Sequence, residues 1–439
     1  MNVRKTVLFT IVIFMFLSCK NENGMQNNND GPAKVELGMV DGKHRLIVNG
    51  EPFFVEGAGC DDGDIAALAA HGANSFRTWM DSPVHIPADE VLRLAKENDL
   101  MVMMGLNVAR ERHGFDYDDE EAVLLQFERI KKKVLSMKDH PNLLGWGIGN
   151  ELNLDYTNKK VWDAVDQIAA FIHEVDGNHP TTTMLAGIGK EEVDYIRENC
   201  PNIDFLSIQM YGDIVNLAKR IEDAGYEGPY LVTEWGATGH WEVAKTSWEA
   251  PIENTTTEKA RDIRERYENV ILADTTHCLG SYVFLWGQKQ ERTPTWYGLF
   301  TEHGNETEAI DVMHRFWTGN WPENRAPKIL RATLNGKTRY ESIHLDAGES
   351  CQLEFEFEDP DNDNLNIDIE IMRESTDLRH GGDLENRPVS LDFELLSKTE
   401  NTAQFICPSE SGPYRVFIYA HDNHENTAAV NIPFFVEDK

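Results

Sequence analysis

Short apolar runs alternate with amphipathic helical patterns along most of the chain. Each run is bounded by Gly, Pro, Asn or Asp, which is typical of a strand buried on both faces of a parallel sheet. The alternation occurs eight times between residues 53 and 321. It predicts an α/β fold, a TIM (β/α)8 barrel, which typically has about 250 residues. The predicted strands are Phe53–Gly57, Asn74–Thr78, Met101–Leu106, Leu143–Asn150, Thr181–Leu185, Phe205–Met210, Tyr230–Thr233 and Gly280–Trp286.

The segments between these runs have the period of a helix. Val161, Val165, Ile168 and Ile172 are three or four residues apart, so this segment presents one apolar stripe to the sheet. Before the first barrel strand, Asn49-Gly50 marks the turn of a hairpin-like segment. We therefore expect a catalytic barrel, with its N-terminal hairpin, over residues 35–322.

The pattern changes after Trp321. Leu353–Phe357, Ile367–Ile371 and Tyr414–Tyr419 alternate apolar and polar residues with a period of two, and Gly, Asn and Asp turns separate such runs. This pattern is typical of the half-buried strands of a sandwich. It predicts an immunoglobulin-like β-sandwich over residues 323–439.

The N-terminus has the pattern of a secretion signal. Arg4 and Lys5 precede a short apolar segment that is too brief to span a bilayer. Phe16-Leu17-Ser18-Cys19 resembles a bacterial lipobox, which predicts a lipoprotein signal peptide over residues 1–18 and lipidation of Cys19. Residues 19–34 would be a flexible tether. The protein would then be an outer-membrane lipoprotein that faces the cell surface or the periplasm; an ordinary signal peptide is the alternative.

Composition excludes some partners. Lys and Arg total 41 against 75 acidic residues, for a net charge of -34. Such a surface repels phosphate backbones, so we expect no nucleic-acid partner. The cysteines after Cys19 show no CxxC spacing, which argues against a zinc or redox site. We favour free buried thiols for Cys351 and Cys407 over a disulfide between them.

Two predicted strands end in a glutamate. Glu151 follows Leu143–Asn150, and Glu234 follows Tyr230–Thr233. The C-terminal ends of barrel strands converge on one mouth, where the active sites of such barrels lie. Hydrolysis of an acetal needs one carboxyl group that protonates the leaving oxygen and another that acts at the anomeric carbon. The two glutamates therefore predict glycoside hydrolysis.

With four further residues, these glutamates resemble the clan of retaining glycoside hydrolases whose catalytic glutamates end strands four and seven of a TIM barrel. The resemblance implies that Glu151 is the general acid/base and Glu234 the nucleophile. It implies substrate-binding or supporting roles for Arg77 beside the nucleophile, Asn150 at the sugar 2-hydroxyl, Tyr211 as a donor to the nucleophile, and Trp286 under the reacting sugar.

The electrostatics agree with this division of roles. Arg77 and the Tyr211 hydroxyl would hold Glu234 ionised, and that anion would keep Glu151 protonated. We therefore expect a retaining mechanism, with the two carboxyl groups about 5–5.5 Å apart.

Two families of the clan are similar to this sequence. Asn49-Gly50-Glu51-Pro52-Phe53-Phe54 and Asp139-His140-Pro141-Asn142 resemble the barrel of family 2, the β-galactosidases and β-glucuronidases. That family, however, places a jelly roll and a sandwich before the barrel. A single barrel with a C-terminal immunoglobulin-like module resembles family 158, the endo-β-1,3-glucanases of gut Bacteroides. The second resemblance implies a retaining endo-β-1,3-glucanase that hydrolyses laminarin-type β-glucan.

Aromatic residues follow several of the predicted strands. The flat face of a β-linked sugar can stack on such rings, so we expect several sugar subsites, although packing of the barrel rim is the alternative for some of them. His240 and His113 are candidates for contacts to sugar hydroxyls, with solvated loop positions as the alternative. The aromatic candidates are Trp79, Trp235, Trp241, Trp248, Trp296 and Tyr297.

The acidic runs suggest no metal site. The run from Asp116 to Glu121 favours the start of a helix, because acidic residues there interact well with the helix dipole. Asp359-Pro360-Asp361-Asn362-Asp363 and His421-Asp422-Asn423-His424 lack EF-hand spacing and suit β-turns. We expect neither a metal nor a cofactor.

Two other functions stay open. One is an exo-acting β-glycosidase, such as a β-galactosidase or a mannan-active enzyme, in which loops close one end of the cleft. The other is a non-catalytic glycan-binding surface lipoprotein, for which the complete set of catalytic residues would be unnecessary. The partner in every case is a β-linked polysaccharide or oligosaccharide, with the membrane as a second partner through the lipid anchor.

Overall fold

The computed structural model describes residues 31–61, 63–80 and 86–438. The predicted signal peptide, Cys19 and the tether up to Asp30 lie outside the described residues. None of the helices in the described part of the chain combines the length and the apolar character that crossing a bilayer requires.

A small antiparallel sheet precedes the barrel. Its strands are β1 (Val35–Val40), β2 (Lys43–Val48) and β3 (Glu51–Phe53). Asn49 (φ 52°) and Gly50 (φ 92°) form the two-residue turn between β2 and β3, a backbone conformation that Asn-Gly pairs favour in hairpins. Leu46 and Val48 pack in one apolar cluster with Val55, Leu144 and Leu231, which lie near the starts of barrel strands. The sheet therefore covers the N-terminal end of the barrel.

The next eight strands form a closed barrel, in which every neighbouring pair is parallel. This confirms the predicted TIM barrel. All residues of the strand Leu143–Asn150 are buried, because helices cover its outer face and packed side chains fill the interior. The strands are β4 (Val55–Gly59), β5 (Ser75–Arg77), β6 (Met101–Leu106), β7 (Leu143–Asn150), β8 (Thr181–Ala186), β9 (Phe205–Gln209), β10 (Tyr230–Glu234) and β11 (Cys278–Val283). Their order around the barrel is β10-β11-β4-β5-β6-β7-β8-β9.

Helices connect the barrel strands along the outside. The acidic run before the third helix begins that helix as predicted, since the Asp119 carboxylate accepts from the backbone N–H groups of Glu121 and Ala122. The helices are α1 (Ile65–Ala70), α2 (Ala88–Glu97), α3 (Glu120–Met137), α4 (Lys160–Val175), α5 (Lys190–Asn199), α6 (Leu217–Ala224), α7 (Thr256–Arg266) and α8 (Glu308–Thr318).

Two four-stranded sheets follow the barrel and enclose an apolar core of their own, as a β-sandwich does. Cys351 and Cys407 lie buried in this core as free thiols, as expected from the sequence. The strands are β12 (Lys328–Leu334), β13 (Ile343–Asp346), β14 (Ser350–Glu358), β15 (Asn366–Arg373), β16 (Leu395–Lys398), β17 (Thr402–Ile406), β18 (Gly412–His421) and β19 (Thr427–Glu437). The sheet orders are β12-β14-β17-β16 and β13-β19-β18-β15.

Polar contacts join the sandwich to the barrel. Arg415 on β18 donates to the Pro251 carbonyl (2.7 Å) and pairs with Glu374 (2.9 Å). The Asn431 amide on β19 donates to Glu253 (2.6 Å), which also pairs with Lys259 on α7 (2.5 Å). The side chains of Arg415, Asn431, Glu253 and Lys259 are buried, and their hydrogen bonds fix the sandwich against one side of the barrel.

Candidate active site

Both predicted glutamates lie at the C-terminal mouth of the barrel. Glu234 is the last residue of β10, and its side chain is only 6% exposed. Glu151 directly follows β7 and has φ 53°, an uncommon conformation for a residue with a side chain. The two strands are three apart in the closed barrel of eight, and both glutamates are at the C-terminal ends of their strands.

Three donors converge on the Glu234 carboxylate. Arg77, at the tip of β5, places its Nη1 3.3 Å from Oε1. The Trp79 indole N–H donates to the same oxygen at 2.6 Å, and the Tyr211 hydroxyl donates to Oε2 at 2.8 Å. Hydrogen bonds to a carboxylate are strongest when it is ionised, so this environment stabilises the anion.

A second set of contacts fixes the Asn150 amide. Its Oδ1 accepts from Arg77 Nη2 (2.7 Å) and from Gln209 Nε2 at the tip of β9 (2.8 Å). These two donors identify the oxygen, and the Asn150 NH2 group, which has no hydrogen-bond partner among the described residues, can donate to a ligand. Arg77 is fully buried, and this burial lowers its pKa, while the Glu234 charge acts in the opposite direction.

The Glu151 carboxyl has a different environment. Burial, and then the charge of Glu234, raise its pKa from 4.5 to about 8, against the opposing effect of Arg110, Arg112 and Arg77. At neutral pH this side chain therefore carries a proton. Arg110 is held beside it by a hydrogen bond from its Nε to the Asn150 carbonyl (2.9 Å).

The site thus pairs a carboxylate surrounded by donors with a protonated carboxyl at the tip of another barrel strand. One can attack an electrophilic carbon while the other delivers a proton. This pairing is what acetal hydrolysis requires.

The prediction that three tryptophans contact the sugar is wrong. Trp235, Trp286 and Trp296 are at most 1% exposed, so they cannot stack on a sugar. Trp235 stacks on Tyr267 behind the barrel wall, with the ring centroids 5.6 Å apart. Trp286 donates to the Asp64 carbonyl (2.8 Å), and Trp296 donates to the Thr238 carbonyl (2.9 Å). All three are packing residues.

Other aromatic rings lie at the mouth instead. Phe284 contacts Trp79, Tyr211 and Tyr297 edge to face, with centroid distances of 5.6, 5.7 and 5.8 Å. Trp241 contacts Tyr211 at 5.6 Å and is 59% exposed, which makes it an accessible ring beside the nucleophile candidate. Phe284 was missed in the sequence because the nearby Trp286 matched the expected pattern.

The remaining candidates occupy the rim. The His240 Nε2 lies 3.2 Å from Glu291, and its ring contacts Trp241 at 4.9 Å. His113 lies 3.0 Å from Asp383 of the sandwich. Trp248 packs against His344 and Phe435, both in the sandwich, and therefore away from the glutamates.

Besides Phe284, four site residues were not identified from the sequence. Gln209 is at a strand tip and could have been found by the argument that found the glutamates. Arg110 and Arg112 lie in the loop after β6, where loop position alone does not distinguish them from solvated arginines. Asp383 approaches the barrel from the other module, and no local pattern predicts such a contact.

A group of acidic residues lies outside the mouth. Oxygens of Asp359, Asp363 and Asp422 approach within 4.8 Å of one another in the sandwich, which the β-turn interpretation did not predict. Asp422 also accepts from the Asn324 and Asn426 side chains, at 2.6 and 3.0 Å. The two carboxylates of the barrel mouth do not take part in this group.

Comparison with known proteins agrees with this architecture. Residues 61–243, which contain both glutamates, match the family model described as glycosyl hydrolases family 2, TIM barrel domain. No match is found among curated proteins.

Solved structures show the same fold at low identity. The β-glucuronidase of Bifidobacterium dentium, complexed with coumarin-3-O-glucuronide, has a TM-score of 0.50 and 17% identity over 65% of this chain and 49% of its own. The β-D-glucuronidase of Dictyoglomus thermophilum has a TM-score of 0.50 and 16% identity over 66% of this chain and 54% of its own. The matched region spans about half the length of these structures. The segment that carries Glu151 and Glu234 is therefore similar to the TIM-barrel domain of family 2 glycosyl hydrolases.

Proposed function

We propose that this protein is a retaining β-glycoside hydrolase that removes sugars from the end of a β-linked glycan. The observation that carries the proposal is the unequal environment of the two strand-tip carboxyls. Three donors converge on Glu234, whereas the pKa of Glu151 is raised to about 8.

The geometry supports a two-step reaction. Glu234 attacks the anomeric carbon while Glu151 protonates the departing oxygen, which leaves a covalent glycosyl ester on Glu234. Ester formation removes the negative charge of Glu234, one of the causes of the raised Glu151 pKa. Glu151 then more readily accepts the role of base and takes a proton from the water that hydrolyses the ester.

Two observations favour exo action over the endo-β-1,3-glucanase activity that the resemblance to family 158 implies. Trp235, Trp286 and Trp296 are buried, so the row of sugar-stacking rings expected along an open cleft is reduced. The similar solved structures are β-glucuronidases, which makes a β-glucuronide the first substrate to test. The endo-glucanase remains the second candidate, because the exposed Trp241 beside Tyr211 can serve a further sugar unit.

The deciding experiment is a product profile. Residues 20–439 are incubated with 4-nitrophenyl β-glucuronide, β-galactoside, β-mannoside and β-glucoside, and with laminarin, galactan and mannan, beside a Glu234→Gln control. Release of single sugars, absent in the control, supports the proposal. A ladder of oligosaccharides from laminarin would instead establish the endo-glucanase. No turnover of any glycan would favour the glycan-binding alternative.

The stereochemical outcome is tested separately. A retaining enzyme releases the β-anomer first from a β-glycoside, which an NMR time course detects before mutarotation. Initial release of the α-anomer would exclude the covalent intermediate on Glu234.

We also propose that Cys19 carries a lipid that holds the enzyme in the outer membrane. The support is the position of the cysteine at the end of the apolar segment. Cys19→Ser should move the full-length protein from the detergent phase to the aqueous phase in Triton X-114 partition; equal partition of both forms would contradict the anchor.

A further inference from the structure

One loop of the sandwich crosses to the mouth of the barrel. This segment, residues 374–394 between β15 and β16, is called the sandwich loop below. It contacts Arg112 after β6, Asp155 after β7, and Arg292 after β11. Because β7 and β11 are four strands apart in a closed barrel of eight, the loop reaches two opposite sides of the mouth.

The contact with the β6 side is a paired one. Both carboxylate oxygens of Asp383 accept from Arg112, with Nη1 to Oδ2 at 2.8 Å and Nη2 to Oδ1 at 3.0 Å. Such bidentate pairs fix the orientation of the guanidinium as well as its distance. Arg112 also donates to the Gly381 carbonyl (3.1 Å), and its side chain is only 6% exposed. Arg112 is therefore held mainly by the sandwich loop.

The contact with the β11 side is equally specific. Glu385 is buried and accepts from the backbone N–H groups of Arg292 (2.6 Å) and Arg379 (2.9 Å), and it pairs with the Arg292 guanidinium. Lys289 Nζ donates to the Gly382 carbonyl at 2.6 Å. Together with the Arg112 contact, these bonds hold the loop on both the β6 side and the β11 side of the mouth.

The loop also packs closely between its anchors. Gly381 has φ 59°, and a Cβ atom there would lie 2.6 Å from Leu154 Cδ2 and 3.0 Å from Arg112 Cζ. Only glycine permits both this conformation and this approach. Leu154 follows Glu151 by one turn, so the loop is packed directly against the segment that carries the acid/base candidate.

The neighbours of Glu151 identify which side of the substrate the sandwich loop faces. The proton donor of a glycosidase lies beside the departing oxygen, and Arg110 and Arg112 are the cations that act on Glu151 from the loop after β6. Arg110 is half-buried, and within the described residues only its Nε has a partner. Its terminal N–H groups are therefore free to donate to the hydroxyls of a leaving sugar.

We propose that the sandwich loop forms the wall of the subsite for the leaving-group sugar, with Asp383 as a positioning residue that fixes Arg112 and with Arg110 as a donor to that sugar. The inference rests on the proposed function and specifies which part of the substrate, the leaving-group sugar, the sandwich contacts. It also gives the sandwich a part in substrate selection.

The test compares two leaving groups on the same glycone. A β-linked disaccharide needs both the subsite and proton donation, whereas the matching 2,4-dinitrophenyl β-glycoside needs neither. Asp383→Ala should lower kcat/KM for the disaccharide about tenfold or more, mainly through KM, since a charge-assisted contact is lost. For the dinitrophenyl glycoside, kcat/KM of the same variant should change by less than about twofold, because this substrate does not use the subsite.

The matched control is Asp392→Ala. Asp392 is an exposed carboxylate of the same loop, and in the part of the chain that the structure describes it has no hydrogen bond or ion pair. Asp392→Ala should leave kcat/KM unchanged for both the disaccharide and the dinitrophenyl glycoside. Asp383→Glu, which keeps the charge, should recover part of the loss, and Arg112→Gln combined with Asp383→Ala should be no worse than Arg112→Gln alone.

Each result decides between outcomes. Equal losses on both substrates would mean that Asp383 only maintains the fold, and no loss on the disaccharide would remove the subsite; either overturns the inference. If Asp383→Ala does not fold, Asp383→Asn, which retains one acceptor oxygen, is read in the same way. Wild-type protein that hydrolyses neither substrate, with every glycone tried, refutes the proposed function itself.

Discussion

Single hydrogen bonds differentiate the two carboxyls of the mouth. Glu234 receives a guanidinium and an indole N–H from the end of β5, through Arg77 and Trp79, and a phenol O–H from Tyr211 after β9. Glu151 lies half-buried among arginines, and in the described part of the chain no hydrogen bond reaches its carboxyl group. Burial and the neighbouring Glu234 charge therefore favour the protonated form of Glu151, whereas the three donors around Glu234 favour a carboxylate there.

Trp79 provides the shortest of the three bonds to Glu234, at 2.6 Å. Trp79→Phe retains an aromatic ring but removes the indole N–H, so we expect kcat to fall about 10- to 100-fold from the loss of a charge-assisted hydrogen bond. The measurement is turnover of an aryl β-glycoside. Trp317→Phe is the matched control, since the Trp317 indole N–H has no partner among the described residues; a similar loss in both variants would contradict the assigned role.

The raised pKa of Glu151 predicts a pH limit. The acid must carry its proton in the free enzyme, so kcat/KM for a glycoside with a poor leaving group should fall as the pH rises above about 8. A 2,4-dinitrophenyl glycoside needs no proton donor, so its pH profile should lack this basic limb. The same limb with both substrates would assign the titration to another group.

The alternation of side chains along each strand decides which residues point into the mouth. Successive side chains of a strand point to opposite faces, so Glu234 faces the mouth and Trp235 faces the helices. The sequence predicted both glutamates because an apolar run that ends in a carboxylate is distinctive. It predicted Trp286 and Trp296 wrongly, because residues beyond a strand tip no longer alternate regularly. Asp383 could not be predicted, since its contact depends on packing between two modules.

A half-buried acid in strand β4, Glu56, makes stability depend on pH. Burial raises the pKa of Glu56 from 4.5 to about 7, so the folded state binds the proton more tightly than the unfolded state does. The stability that this proton confers is complete below about pH 4.5 and is lost as the pH rises to about 7.

Glu56→Gln should therefore raise the free energy of unfolding at pH 8 by about 1–2 kcal/mol, allowing for its partial exposure, and should change little at pH 4.5. Urea titrations at the two pH values measure this difference. Glu51→Gln, on the exposed strand β3, should change stability by less than about 0.5 kcal/mol at either pH. An equal effect of Glu56→Gln at both pH values would exclude the titration of Glu56 as its cause.

At the scale of the molecule, barrel and sandwich share buried polar contacts. Arg415 connects three groups: Glu374, the Asn431 amide and the Pro251 carbonyl. Removal of one partner from such a network leaves the others buried without compensation, which is costly. We therefore expect the two modules to unfold together.

Arg415→Met should lower the free energy of unfolding by about 3–5 kcal/mol, because Glu374 would keep its burial without its cation. Calorimetry should show one transition for the wild type and a lower Tm for the variant. Arg331→Met is the control, since its pair with Glu354 is solvent-exposed and contributes less than about 1 kcal/mol. Two separate transitions in the wild type would show that the modules are thermally independent.

The small sheet under the barrel also has a practical consequence. Ala33 and Val35 pack against the N-terminal ends of the strands, on the side opposite the two glutamates. A short affinity tag placed directly before Ala33 would thus attach the enzyme to a resin by its closed end. The mouth would then point away from the resin. A large polymeric substrate could therefore reach Glu151 and Glu234 without passing between the protein and the bead.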